Sequence, residues 1–129
     1  MRKELRYDKI LIILKKILPP KWHSVVLFVL YEGNSFIMKY YFKTNGKGKY
    51  QDGEKAEFVK KQEIIDVYLA LDNEISFTRN NNNGNTEKWT TMALKYENRG
   101  DKFYAYFAYE DLKEKELVVL NSLKAKYID

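Results

Sequence analysis

The spacing of apolar positions changes several times along this chain, and each change marks an element. Between residues 4 and 18, Tyr7, Ile10, Leu11, Leu14, Ile17 and Leu18 recur at intervals that line one face of an α-helix. Arg2, Arg6, Lys9 and Lys16 form a basic stripe on the opposite side, interrupted by Ile13. Pro19-Pro20 stops this helix, because the residue before a proline disfavours the α region. The pattern then turns strand-like. Residues 22–31 are almost continuously apolar, residues 35–43 are rich in β-branched and aromatic side chains, and Glu32-Gly33-Asn34 between them signals a turn. In the resulting hairpin Trp22, Val26, Phe28 and Leu30 fall on one face, with Val25, Leu27, Val29 and Tyr31 on the other. A strand apolar on both faces belongs inside a sheet that is covered on each side. Asn45-Gly46, Gly48 and Asp52-Gly53 break the chain and leave room for a short third strand near residues 47–51.

Helical spacing returns over residues 61–78, where Ile64, Tyr68, Leu71 and Ile75 form a core stripe. Glu63, Asp66, Ala70, Asn73 and Glu74 are expected together on the outward side. The asparagine-rich run 80–85 reads as a loop. Residues 88–97 and 102–109 alternate as a second hairpin around a turn at 98–101. One face of it carries Met92, Leu94 and Tyr96 with Phe103, Ala105 and Phe107. The other carries Trp89, Thr91 and Ala93 with Tyr104, Tyr106 and Ala108. A last helix is expected over residues 112–127, with Asp111 as N-cap and Glu114 completing a capping box. Leu117, Leu120, Asn121 and Lys124 mark one side of it, flanked by Val119, Ser122 and Leu123. The fold class that follows is α+β: one antiparallel sheet of four to five strands, built from two hairpins and packed with three helices, in the order α-β-β-(β)-α-β-β-α. At 129 residues this is one domain, spanning 1–129.

Composition sharpens the picture in two ways. The chain has no cysteine, which excludes disulfides, thiolate metal sites and a cysteine nucleophile, and agrees with a reducing compartment such as the cytoplasm. The apolar stretch at residues 10–14 is short and is followed by Lys15 and Lys16, so neither a signal peptide nor a membrane span is expected. The net charge of +5 is uneven: residues 1–21 carry seven basic and two acidic side chains, whereas residues 62–87 carry five acidic and one basic. An acidic helix thus sits on an otherwise basic body.

Catalytic chemistry finds little purchase. The single histidine, His23, has no signalled nucleophile or orienting carboxylate near it, and one histidine does not make a metal site. Glu110-Asp111 is the only tempting carboxylate pair, and Asp111 has a structural use as a cap. Asn45-Gly46-Lys47-Gly48-Lys49 lacks the spacing of a phosphate-binding loop. No catalytic, cofactor-binding or metal-binding residue is therefore expected, and the chain reads as a binding protein rather than an enzyme. Lys39-Tyr40-Tyr41-Phe42-Lys43 interleaves lysines and aromatics as single-stranded nucleic-acid sites do, although strand alternation sends half of those rings to the core.

The segment 89–112 is more specific. Trp89-Thr90 precedes an apolar strand, Gly100 with Lys102-Phe103 follows the turn, and Tyr109-Glu110-Asp111-Leu112 leads to the last helix. This segment resembles the YezG-like immunity protein family, which includes the EsaG-type antitoxins of bacterial type VII secretion systems. The opening helix, the Pro19-Pro20-Lys21-Trp22 step into a strand and the closing Lys124-Ala125-Lys126-Tyr127 extend the resemblance in outline over the chain. It implies a cytoplasmic, non-catalytic protein, without cofactors, that binds and neutralises a secreted toxin, in known cases a nuclease. Charge and expected exposure, rather than the resemblance, select the contact residues: Glu63, Asp66, Asn73 and Glu74, with Trp89, Tyr104 and Tyr106 as aromatic anchors. The alternative is a small basic nucleic-acid-binding or regulatory protein using Arg2, Arg6, Lys9 and the basic segment 39–61. A homodimer through Ile12 and Ile13 is a third option, and no membrane partner is expected.

Overall fold

A computed structural model describes residues 5–80 and 88–129. The elements are α1 (Tyr7–Leu14) with a 3-10 turn (Lys15–Ile17), β1 (Ser24–Glu32), β2 (Ser35–Lys43), β3 (Gln51–Asp52) with a second 3-10 turn (Gly53–Lys55), α2 (Lys61–Asn80), β4 (Thr91–Glu97), β5 (Lys102–Ala108) and α3 (Glu116–Tyr127). The five strands form one antiparallel sheet in the order β3-β2-β1-β4-β5, which is the expected α+β class. Most of the asparagine-rich run lies outside the described residues. Among the described residues no helix is long and apolar enough to cross a membrane.

The double-sided apolar pattern of β1 places it at the centre of the sheet, with β2 and β4 on either side. Val25, Leu27, Val29 and Tyr31 face α1 and α2, where they join Ile10, Leu14, Ile64, Leu71, Ile75, Met92 and Leu94 in the larger core. Val26, Phe28 and Leu30 face α3 and pack with Tyr41, Ala93, Val119 and Leu123 in a smaller one. Trp22 departs from the expected alternation. It precedes the first strand residue, Ser24, and its ring joins the α1/α2 core instead of the Val26 face. The second hairpin has the expected register, with Met92 opposite Phe107, Leu94 opposite Ala105 and Tyr96 opposite Phe103.

Three local contacts explain how the chain is held between elements. The buried Tyr40 hydroxyl donates to the carbonyls of Ile17 and Gly53, tying α1's end to the turn after β3. A Cβ on Gly53 would run into the Tyr40 ring, so this turn tolerates only glycine at that point. At the β4–β5 turn, Asn98 and Arg99 both adopt positive φ. Arg99 is held there by its guanidinium, which donates to the carbonyls of Trp22 (3.1 Å) and Pro20 (3.3 Å), and by its amide, which donates to the His23 carbonyl (2.9 Å).

The last helix starts later than expected, and the capping box does not form. Asp111 Oδ1 accepts from the Lys113 amide at 3.0 Å, a local turn, and the Lys115 amide donates to the Leu112 carbonyl. Glu114 has φ +61°, so it cannot be a helical N3 residue. Burial of Leu112 in the smaller core draws this segment into a turn, and α3 begins at Glu116 with no side-chain cap. The inward side of α3 is Val119 and Leu123 with Leu120 and Tyr127, whereas Leu117 is 74% exposed.

Candidate protein-binding surface

The long helix α2 offers solvent a surface different from the one expected of it. Its core stripe, Ile64, Leu71 and Ile75, is buried together with Val67. The opposite side carries a second apolar stripe: Ile65, Leu69 and Phe77 are 42%, 50% and 54% exposed. With Asn73 they recur every four residues, so they line one gently drifting row. A helix that is apolar on both sides has a second surface to cover. The sequence carried this signal in the apolar positions that the core stripe leaves over.

The acidic residues expected on that side divide into two groups. Glu63 and Asp66 are exposed. Glu63 Oε1 accepts from the Lys60 amide at 3.0 Å, capping the helix start, and Asp66 Oδ1 accepts from Gln62 Nε2 at 2.9 Å. Asn73 is exposed and lines a groove of about 420 Å³ between α1 and α2, with Arg6, Lys9, Ile13, Ala70, Glu74 and Phe77. Glu74, in contrast, is only 8% exposed. It is paired with Arg6 Nη2 at 2.5 Å and with Lys9 Nζ at 3.8 Å. The expectation that Glu74 faces outward is therefore corrected. Helical spacing puts it at the edge of the outer side, and α1 lies across that edge and covers it. The same pairing engages Arg6 and Lys9, two members of the basic stripe, within the fold; Arg2 lies outside the described residues.

The three aromatic anchors also separate. Tyr104 and Tyr106 lie on the α3 side of β5, 54% and 41% exposed, opposite Lys95 and Ala93. Lys126 Nζ sits 4.7 Å above the Tyr106 ring. Trp89 does not share their face. It precedes β4 and turns to the α1/α2 side, with its ring 5.5 Å from Tyr31 and 5.3 Å from Phe107. Arg79 Nε donates to its carbonyl at 2.6 Å, and the Arg79 guanidinium stacks 4.6 Å from Tyr31. Burial holds the Arg79 pKa below its ordinary value. The Tyr31 hydroxyl donates to Asp72 at 2.7 Å, and burial together with that bond pushes its pKa well above the ordinary tyrosine range. Trp89 thus helps lock β4 to the end of α2.

A cavity of about 390 Å³ lies where β2, β3 and the start of α2 meet. Three of its charged groups, Lys39, Asp52 and Glu54, pair with one another. Lys39 Nζ reaches Glu54 at 3.1 Å and Asp52 at 3.6 Å, and the Tyr68 hydroxyl donates to Glu54 at 2.7 Å. Burial opposes the charge on Lys39, yet its bond to Glu54 and the neighbouring Asp52 lift its pKa above the ordinary value. Burial, then Glu54, pushes Tyr68 strongly upward. His23 Nδ1 lies 2.7 Å from Ser24 Oγ at the start of β1. Among the described residues no group of three or more His, Cys, Asp or Glu side chains is placed to hold a metal ion.

The fold and these surfaces define a single-sheet α+β protein with helices on both faces. No family model matches the chain, and no curated protein matches it at a significant level.

Proposed function

We propose that this protein is a non-catalytic immunity protein that binds and neutralises a protein toxin through the outer side of α2. The observation that carries the reading is the exposed row Ile65, Leu69 and Phe77 with Asn73, bordered by Glu63 and Asp66. Protein interfaces combine an apolar centre with a polar rim, and this helix has both. Glu63 and Asp66 make part of the rim acidic, while Arg6 and Lys9 border it at Asn73 and Phe77. The acidic part suits a toxin whose substrate site is basic, as a nuclease's is, and complementary charge speeds association. The resemblance of residues 89–112 to the YezG-like immunity proteins points the same way. Glu74 leaves the proposed contact set, since it is engaged with Arg6.

The test is co-expression with nuclease toxin domains of bacterial type VII secretion systems. Growth rescue by the wild type and its loss in Leu69→Arg, with the circular dichroism spectrum unchanged, is expected. Failure of every such domain to bind or be neutralised sinks the reading.

A second reading, nucleic-acid binding, is favoured by one observation: Tyr104 and Tyr106 are exposed beside Lys95, Lys102 and Lys126 on the α3 side of the sheet. Exposed aromatics among lysines suit stacked bases and phosphates. Affinity for single-stranded DNA that falls steeply with salt, and is lost in Tyr104→Ala/Tyr106→Ala, would favour it over the first.

A further inference from the structure

Strand β5 ends the sheet, and among the described residues β4 is its only strand neighbour. Its seven residues are exposed or half-exposed throughout. Edge strands ordinarily carry a device against pairing: short length, proline, a bulge or an inward charge. From Phe103 to Ala108, β5 has neither proline nor charge. What it has is a palindrome, Phe103-Tyr104-Ala105-Tyr106-Phe107.

We infer that the β5 edge pairs with the β5 edge of a second copy of this chain, forming a two-fold dimer centred on Ala105. A two-fold interface must be self-complementary, so that residue i meets j and j meets i. Antiparallel pairing about Ala105 satisfies this along the strand. Phe103 meets Phe107 on the α1/α2 side, Tyr104 meets Tyr106 on the α3 side, and the small Ala105 residues meet at the axis. Aromatic cross-strand pairs are among the favourable ones. The same register sets Lys102 of each copy opposite Ala108 of the other, so no like charges face each other along the paired strands.

Phe103, Tyr104, Tyr106 and Tyr109 are 49%, 54%, 41% and 50% exposed. Rings of this size expose roughly 100 Å² each at half exposure, which is an upper bound on what pairing buries per ring. The interface is therefore small, at or below the roughly 1,200 Å² low end of specific interfaces, which fits a dimer that forms at high concentration. Because directly opposed strand residues share a face, the two sheets continue as one, with both α2 helices on the same side. The dimer therefore leaves the outer side of α2 uncovered in each copy, and it does not depend on the toxin-binding reading.

Sedimentation equilibrium of the full chain from micromolar to millimolar concentration reads the association directly. A monomer–dimer equilibrium is expected, with Ala105→Lys shifting it to monomer because two like charges then meet at the axis. Since the chain has no cysteine, Ala105→Cys should give a disulfide-linked dimer with diamide, whereas Ile12→Cys should not. Circular dichroism checks that each variant is folded. A wild type that stays monomeric over this range overturns the proposal. So does a dimer that survives Ala105→Lys and cross-links through Ile12→Cys, which would place the interface on α1.

Discussion

The two edges of the sheet are built on opposite principles. At the β3 edge the strand is only two residues long, Lys39, Asp52 and Glu54 neutralise one another beside it, and the chain turns at once into a 3-10 turn clamped by Tyr40. A neighbouring strand finds a short, charged and curved border there. At the β5 edge the strand is seven residues long, with the rings of Phe103, Tyr104 and Tyr106 about half in solvent. The difference teaches where this protein guards against association and where it permits it. The closed edge is held by interactions within the chain, so changes there should cost stability. At the open edge Tyr104 and Tyr106 are half in solvent, so changes to them should cost contacts with another molecule more than stability of the fold.

The largest effect is expected from Gly53→Ala. The added Cβ overlaps the Tyr40 ring, and relief requires moving either the turn or a buried tyrosine. Strain of that kind costs about 2–3 kcal/mol, measurable as a lowered urea midpoint at constant slope. An unchanged midpoint would mean that the turn can shift freely, and the edge would not be closed in the sense described.

Alkaline pH should strike the same edge. Burial raises the pKa of Tyr40, and burial with the Glu54 bond raises that of Tyr68. A group whose folded pKa lies above its unfolded value stabilises the fold fully below the unfolded pKa. That contribution is lost as pH rises past it, which for tyrosine is about 10. The melting temperature should therefore fall steadily above that pH, and Tyr68→Phe should flatten the fall. A variant that melts as the wild type does at every pH would remove Tyr68 from this account.

Tyr106→Ser tests the open edge. Tyr106 is exposed and is contacted by Lys126 above its ring. At a concentration where the protein is monomeric its loss should change stability by no more than about 0.5–1 kcal/mol. A larger loss would show that β5 is needed by the fold itself.

The smallest effect is expected from Asp111→Ala, at the exit from the open edge. As a helix cap it would cost about 1 kcal/mol. The side chain instead closes an exposed local turn through the Lys113 amide. The expected change is about 0.5 kcal/mol or less, and a thermal melt distinguishes the two.

How far the sequence could be read followed the range of the interactions. Alternation in β1 and in the β4–β5 hairpin fixed which residues share a face, because strand geometry leaves two choices and the turns set the register. The central place of β1 was equally plain, since its apolar residues need cover on both sides. Positions that depend on a distant element were not legible. Glu74 reads as exposed until α1 brings Arg6 across it, and Arg6 is 68 residues away. Trp89 and Trp22 sit just outside their strands, where alternation no longer constrains the side chain and the larger core claims it. Glu114 could be placed at a helical position by spacing alone, whereas burial of Leu112 forces the turn that excludes it. Thus the sequence by itself determined the elements, their faces and the class of fold, because these follow from local periodicity and turn chemistry. Only the tertiary structure decided which charged and aromatic side chains remain available to a partner, because availability depends on what packs against each of them.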